Sequence, residues 1–173
     1  GKEDQDTTFD SGTLAGGGDR KLSEILDIVK ETYCDTVGVE YMHMHDFTMR
    51  RWLRDRMEKC RNHPNFSTAK KKRILNHVME GELFERFLHT RYVGQKRFSL
   101  EGGETLIPML DAVVEKCPEL GVSQIVMGMA HRGRLNVLAN ILGKNYKFIF
   151  NEFAENYSPQ AVQGDGDVKY HMG

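Results

Sequence analysis

One stretch limits the fold more than any other: Gln124-Ile125-Val126-Met127-Gly128-Met129-Ala130-His131-Arg132-Gly133-Arg134-Leu135-Asn136-Val137-Leu138-Ala139-Asn140. It opens as a short apolar run of β type and breaks at His-Arg-Gly-Arg. It resumes with Leu135, Leu138, Ala139 and Leu142 at i, i+3, i+4 and i+7, the spacing of one helix face. The pattern predicts strand, turn and helix. In open α/β sheets ligands gather where strands end and helices begin. A helix N-terminus offers unpaired N–H groups and partial positive charge, which suits phosphate. Two arginines and a histidine at the turn strengthen that expectation; the plain alternative is a solvated basic loop.

Composition narrows the classes. The chain has 173 residues, with 24 basic and 25 acidic side chains and a formal net charge of -1. Such a balance gives no global field for nucleic acid or an anionic membrane. Hydrophobic residues make up 39%, against roughly 45–50% in an ordinary globular chain. That fits a helical, surface-rich protein or a piece of a larger one. Cys34, Cys60 and Cys117 are widely spaced and form no CxxC, which suits a reducing compartment. No apolar run approaches the roughly 18 residues of a membrane span.

Residues 1–20 are rich in Gly and Asp and read as a flexible linker. Leu22, Ile25, Leu26, Val29 and Tyr33 predict an amphipathic helix. Val39 to Met44 reads as a short strand or extended segment. His43-Met44-His45-Asp46 invites a metal reading, but further ligands are wanting, and Asp46 is more simply the N-cap of a helix from Phe47 to about Arg61. Asn62-His63-Pro64-Asn65 is a break. Ser67 caps a helix reaching Tyr92, in one piece or jointed at Gly81. Lys70-Lys71-Lys72-Arg73 on it reads as a solvated face, not a nucleic-acid site. Lys96-Arg97-Phe98-Ser99-Leu100-Glu101-Gly102-Gly103-Glu104 precedes a helix carrying Leu106, Ile107, Leu110, Val113 and Val114 that ends at Cys117-Pro118. Tyr146, Phe148, Ile149, Phe150 and Phe153 predict a helix packed on a sheet; 156–163 reads as a loop.

Met127 to Leu138 resembles the E1 component of 2-oxoglutarate dehydrogenase, a thiamine-diphosphate-dependent 2-oxoacid decarboxylase. Lys96 to Glu104, Gly166 to Gly173 and, more loosely, Gly38 to His43 agree with the same family in order and rough spacing. The resemblance covers nearly everything from about Lys21 onward. It implies an α/β fold: a helical region over 21–95, then from 96 to 173 the first βα units of an incomplete thiamine-diphosphate-binding domain. It also implies an N-terminal fragment, since the family continues for many hundreds of residues past Tyr-His-Met-Gly.

The resemblance carries roles to few residues. His131 matches an active-site histidine that contacts the 2-oxoacid, and Arg132 an arginine that contacts thiamine diphosphate. His171 matches a second active-site histidine, for carboxylate recognition or proton transfer. The implied activity is oxidative decarboxylation of 2-oxoglutarate with succinyl transfer to a lipoylated E2 partner, in a homodimer. A close relative takes 2-oxoadipate. Gly164-Asp165-Gly166 looks like the family's Mg²⁺ motif, but too few residues follow for its Asn, so the metal ligands are expected beyond Gly173 and none within this chain. The fragment alone is expected to be inactive. Bacterial cytoplasm is the favoured compartment, mitochondrial matrix if the source is eukaryotic. The rival expectation is a non-catalytic helical module that binds E2 through Leu22–Tyr92.

Overall fold

The computed structural model describes residues 6–94 and 97–154. Two compact units divide the chain, Gly1–Phe66 and Ser67–Gly173. Gly164-Asp165-Gly166 and His171 lie outside the described residues.

The first unit opens with β1 (Thr8–Asp10) and β2 (Asp19–Lys21), paired antiparallel with Phe9 opposite Arg20. The segment expected as a linker thus contains a hairpin. Its loop carries Gly12, Gly16, Gly17 and Gly18, all at positive φ, a backbone that costs glycine little. Then come α1 (Leu22–Tyr33) and α2 (Phe47–Cys60). The Asp46 carboxylate accepts from the Thr48 and Met49 N–H groups, so the expected cap forms. Between the helices Val39–Met44 is not a strand. Ile28, Tyr41 and Met57 are buried. With so small a core, polar contacts matter: buried Glu58 accepts from the Tyr33 hydroxyl (2.6 Å) and the Ala15 N–H (2.9 Å).

The second unit is built on α3 (Thr68–Arg91), one unbroken helix through Gly81. Gly81 marks no joint, and a side chain there would meet only ordinary van der Waals neighbours. A Cβ on it would lie 3.4 Å from Ile107 Cγ1 and 3.6 Å from Asn136 Oδ1. Against α3 lie α4 (Leu106–Lys116) and α5 (Arg134–Asn140), with α6 (Tyr146–Phe153) completing the set. Phe84, Leu88, Leu135, Leu138, Ile149 and Phe153 form one core cluster, and Leu100, Ile107 and Val137 a second. Lys70 and Arg73 pair with Glu115, and Arg73 with Asp111 at 2.8 Å. Half of the basic run is therefore a set of interhelical ion pairs.

Two expectations need correction. The run Gln124–Met129 is not a strand: among the described residues its backbone N–H and C=O groups meet no ladder partner. A strand is defined by pairing as much as by residue type, and apolar alternation cannot supply the neighbour. Val126 is left 99% exposed. Likewise α6 packs on helices, not on a sheet: Ile149 and Phe153 join Phe84 and Leu88 of α3. The described fold is thus mostly helical, with one two-stranded sheet. No helix among the described residues is long and apolar enough to cross a membrane.

Candidate functional site

The turn at 131–134 is held by the loop that precedes α4. Gly133 donates its N–H to the Phe98 carbonyl at 2.8 Å. Its φ is +73°, and a Cβ there would sit 2.5 Å from Leu100 Cδ1, so glycine is required twice over. Phe98 itself has φ +34°, a strained setting for a bulky residue. The Gly133 bond and the seating of Leu100, 3% exposed, hold it there. Strain confined by neighbours tends to mark sites where a loop must present a given shape.

On this frame stand the side chains of interest. The His131 ring lies 5.4 Å from the Phe98 ring, centroid to centroid. Arg132 Nη2 donates to the Glu101 carbonyl at 2.7 Å, which fixes the guanidinium beside the 98–101 loop. Phe98, Ser99, Glu101 and Arg132 line a concavity of about 360 Å³. Arg134 turns back and donates to the Met129 carbonyl at 3.0 Å. The structure thus brings His131 and Arg132 together with Phe98, Ser99 and Glu101, a grouping that sequence separation hides. Since α5 spans 7 residues, attraction for an anion rests mainly on the Arg132 charge rather than on a long helix dipole.

Beneath lies a network that the sequence reading missed. The Glu85 carboxylate, 5% exposed, accepts through Oε1 from the Leu100 N–H (3.0 Å) and from Asn136 Nδ2 (3.1 Å). Asn136, fully buried, also donates to the Gly81 carbonyl at 2.9 Å. Arg97 donates to the Glu85 carbonyl at 2.9 Å, and its Nη1 lies 3.7 Å from Glu85 Oε2. One buried acid on α3 therefore ties the 97–101 loop to the start of α5. The clue was available: Glu85 stands four residues after Gly81 and three before Leu88, where the helical period calls for an apolar residue.

A larger concavity, about 530 Å³, adjoins through Glu101 and is lined also by Glu82, Glu85, Arg86, His89 and Glu104. Its excess of carboxylates makes it a poorer anion site than the Arg132 rim. No group of three His, Cys, Asp or Glu able to hold a metal occurs among the described residues, His43 and His45 included.

Comparison with known proteins decides the family. No family model matches the chain. A multifunctional 2-oxoglutarate metabolism enzyme of Mycolicibacterium vanbaalenii is 49% identical over 170 residues, 98% of this chain. The 2-oxoglutarate dehydrogenase E1 component of Brucella anthropi is 48% identical over 153 residues, 88% of the chain, and that of Brucella canis 47% over the same length. The chain is homologous to a segment of 2-oxoglutarate dehydrogenase E1. It spans 14% of the length of the first of these relatives and 15% of the other two. In this segment the loop 97–101 and the turn 131–134 form one locally braced unit, cross-linked by Glu85 and Asn136.

Proposed function

We propose that this chain supplies the 131–134 turn of a 2-oxoglutarate dehydrogenase E1, which decarboxylates 2-oxoglutarate oxidatively and passes the succinyl group to a lipoylated E2. The observation that carries this proposal is Arg132 tied to the Glu101 carbonyl with His131 against the Phe98 ring, in a chain about half identical to proteins of that name. On this proposal the region from 96 onward begins an α/β domain that binds thiamine diphosphate.

Thiamine diphosphate, when bound, supplies an electron sink for the pair released as CO₂ leaves. The residues present fit it at one point. The Arg132 guanidinium has five donors, one spent on the Glu101 carbonyl, and its fork suits a diphosphate oxygen. His131 orients the 2-oxoacid and holds or moves a proton at a ring nitrogen, work for which imidazole is suited near neutral pH. His171 takes a matching part on the substrate carboxylate. The Mg²⁺ ligands belong outside this chain, which alone releases no CO₂. A homodimer working in the bacterial cytoplasm completes the proposal.

The test is CO₂ release from 2-oxoglutarate by a protein of the relatives' length that contains this segment. His131→Ala is expected to lower kcat by roughly 10²-fold or more. Unchanged turnover in a folded variant overturns the role of His131; preference for 2-oxoadipate corrects the substrate.

A further inference from the structure

Buried Glu85 on α3 has no part in the chemistry proposed above. A carboxylate is costly to bury, and apolar side chains in place of a buried ion pair are often no worse for stability. The hydrogen bonding of Glu85 is also one-sided. Its Oε1 accepts from both the Leu100 N–H and Asn136 Nδ2. Its Oε2 is buried without a hydrogen-bond partner, and Arg97 Nη1 stands 3.7 Å from it. Stability alone is a weak reason for such a group. What the acid provides is an acceptor at one fixed point.

That point fixes the middle of the 97–101 loop. Leu100 donates its N–H to Glu85, and its carbonyl accepts from the Gly103 N–H at 2.7 Å. Two residues earlier the Phe98 carbonyl accepts from the Gly133 N–H. The next residue is Glu101, whose N–H donates to Ser99 Oγ at 3.1 Å and whose carbonyl accepts from Arg132 Nη2. Peptide planes are rigid, so few dihedrals lie between the Leu100 N–H and the Glu101 carbonyl. Arg97 ties the start of the loop to α3, donating to the Glu85 carbonyl and, through Nη2, to His89 Nδ1 at 2.8 Å. Strained Phe98, whose ring lies against His131, is thus held from both sides.

We propose that Glu85 is a positioning residue for the candidate site. Through the Leu100 N–H it sets where the Glu101 carbonyl stands, and through that carbonyl the direction of the Arg132 guanidinium. Glu85 touches neither cofactor nor substrate. A guanidinium turned away keeps its charge but loses the fork geometry that phosphate oxygens reward. This inference rests on the thiamine-diphosphate role proposed for Arg132.

The test is calorimetric titration of thiamine diphosphate, with Mg²⁺ present, into a protein of the relatives' length that contains this segment. Glu85→Ala is expected to weaken binding by about fivefold. Glu85→Asp keeps the charge but draws the oxygens back by one methylene, with an expected loss of about threefold. It carries the test should Glu85→Ala not fold. Glu85→Gln keeps an acceptor for the Leu100 N–H and is expected to stay within about twofold of native. In an Arg132→Ala background Glu85→Ala is expected to add nothing, the sign of two residues acting as one unit. Ile149→Ala, a core truncation on α6, is expected to lower stability and leave affinity native, which separates positioning from stability. Four results overturn the proposal and leave Arg132 its role: native affinity in the folded Glu85→Ala or Glu85→Asp variant, Glu85→Gln as weak as Glu85→Ala, a Glu85→Ala loss undiminished in the Arg132→Ala background, or an equal loss from Ile149→Ala. Native affinity in Arg132→Ala itself overturns that role, and this proposal with it.

Discussion

At the scale of single residues, one glycine and one acid hold the candidate site. Gly133 combines φ +73° with a Leu100 methyl where a Cβ would stand. Gly133→Ala is expected to cost about 1–3 kcal/mol and to loosen the 98–101 loop, read by urea unfolding and by hydrogen exchange at Leu100. An unchanged midpoint would mean that the loop adapts freely. Glu85 is the second test. Glu85→Ala strands the Leu100 N–H and one of the two Asn136 Nδ2 hydrogens, the other staying on the Gly81 carbonyl, and is expected to cost about 2–4 kcal/mol. Glu85→Gln keeps an acceptor oxygen and is expected to lose less than half of that. Equal losses would show that the charge, and not the hydrogen bonds, holds the loop.

Among elements, legibility followed the range of the forces involved. Helix starts are local: Asp46 and Ser67 each accept from N–H groups one turn on, and both caps were evident from residue type and spacing. The continuity of α3 through Gly81 was left open because a glycine costs helix locally, and the bond that its carbonyl accepts from Asn136 is remote in sequence. Gln124–Met129 read as a strand for the converse reason. Its residues have β character, but pairing needs a neighbour that the described chain does not provide. The hairpin at 8–21 went unread because glycines that build tight turns also mark linkers. His131 and Arg132 were legible through family resemblance; Phe98, Glu101 and Glu85 as their supports were not, since those contacts cross 31 to 51 residues of chain.

The first unit carries its own pH test at this scale. Burial, then the Glu58 carboxylate and the Tyr41 hydroxyl, raise the Tyr33 phenol well above the ordinary tyrosine range. A group whose folded pKa lies above its unfolded value contributes its full stability below the unfolded pKa, about 10 for tyrosine. That contribution is lost as pH rises beyond it. Thermal melts are therefore expected to fall more steeply above about pH 10 for the native chain than for Tyr33→Phe. Parallel curves would show that Tyr33 ionises freely.

Over the whole molecule, the chain divides its labour between two units. The second ties the 97–101 loop to the start of α5 through Glu85 and Asn136. The first stands on a small core with buried Glu58 holding Tyr33 and the Ala15 N–H. The central proposal concerns Arg132, whose guanidinium donates to the Glu101 carbonyl: we propose that it is the group that grips the diphosphate of a thiamine cofactor. The measurement that reaches it most directly is calorimetric titration of thiamine diphosphate, with Mg²⁺ present, into a protein of the relatives' length that contains this segment. Arg132→Ala is expected to weaken binding by about tenfold or more, the worth of a charge-assisted hydrogen bond. Arg73→Ala, which removes two surface ion pairs between α3 and α4, is expected to leave it unchanged. Native affinity in a folded Arg132→Ala variant would contradict the claim.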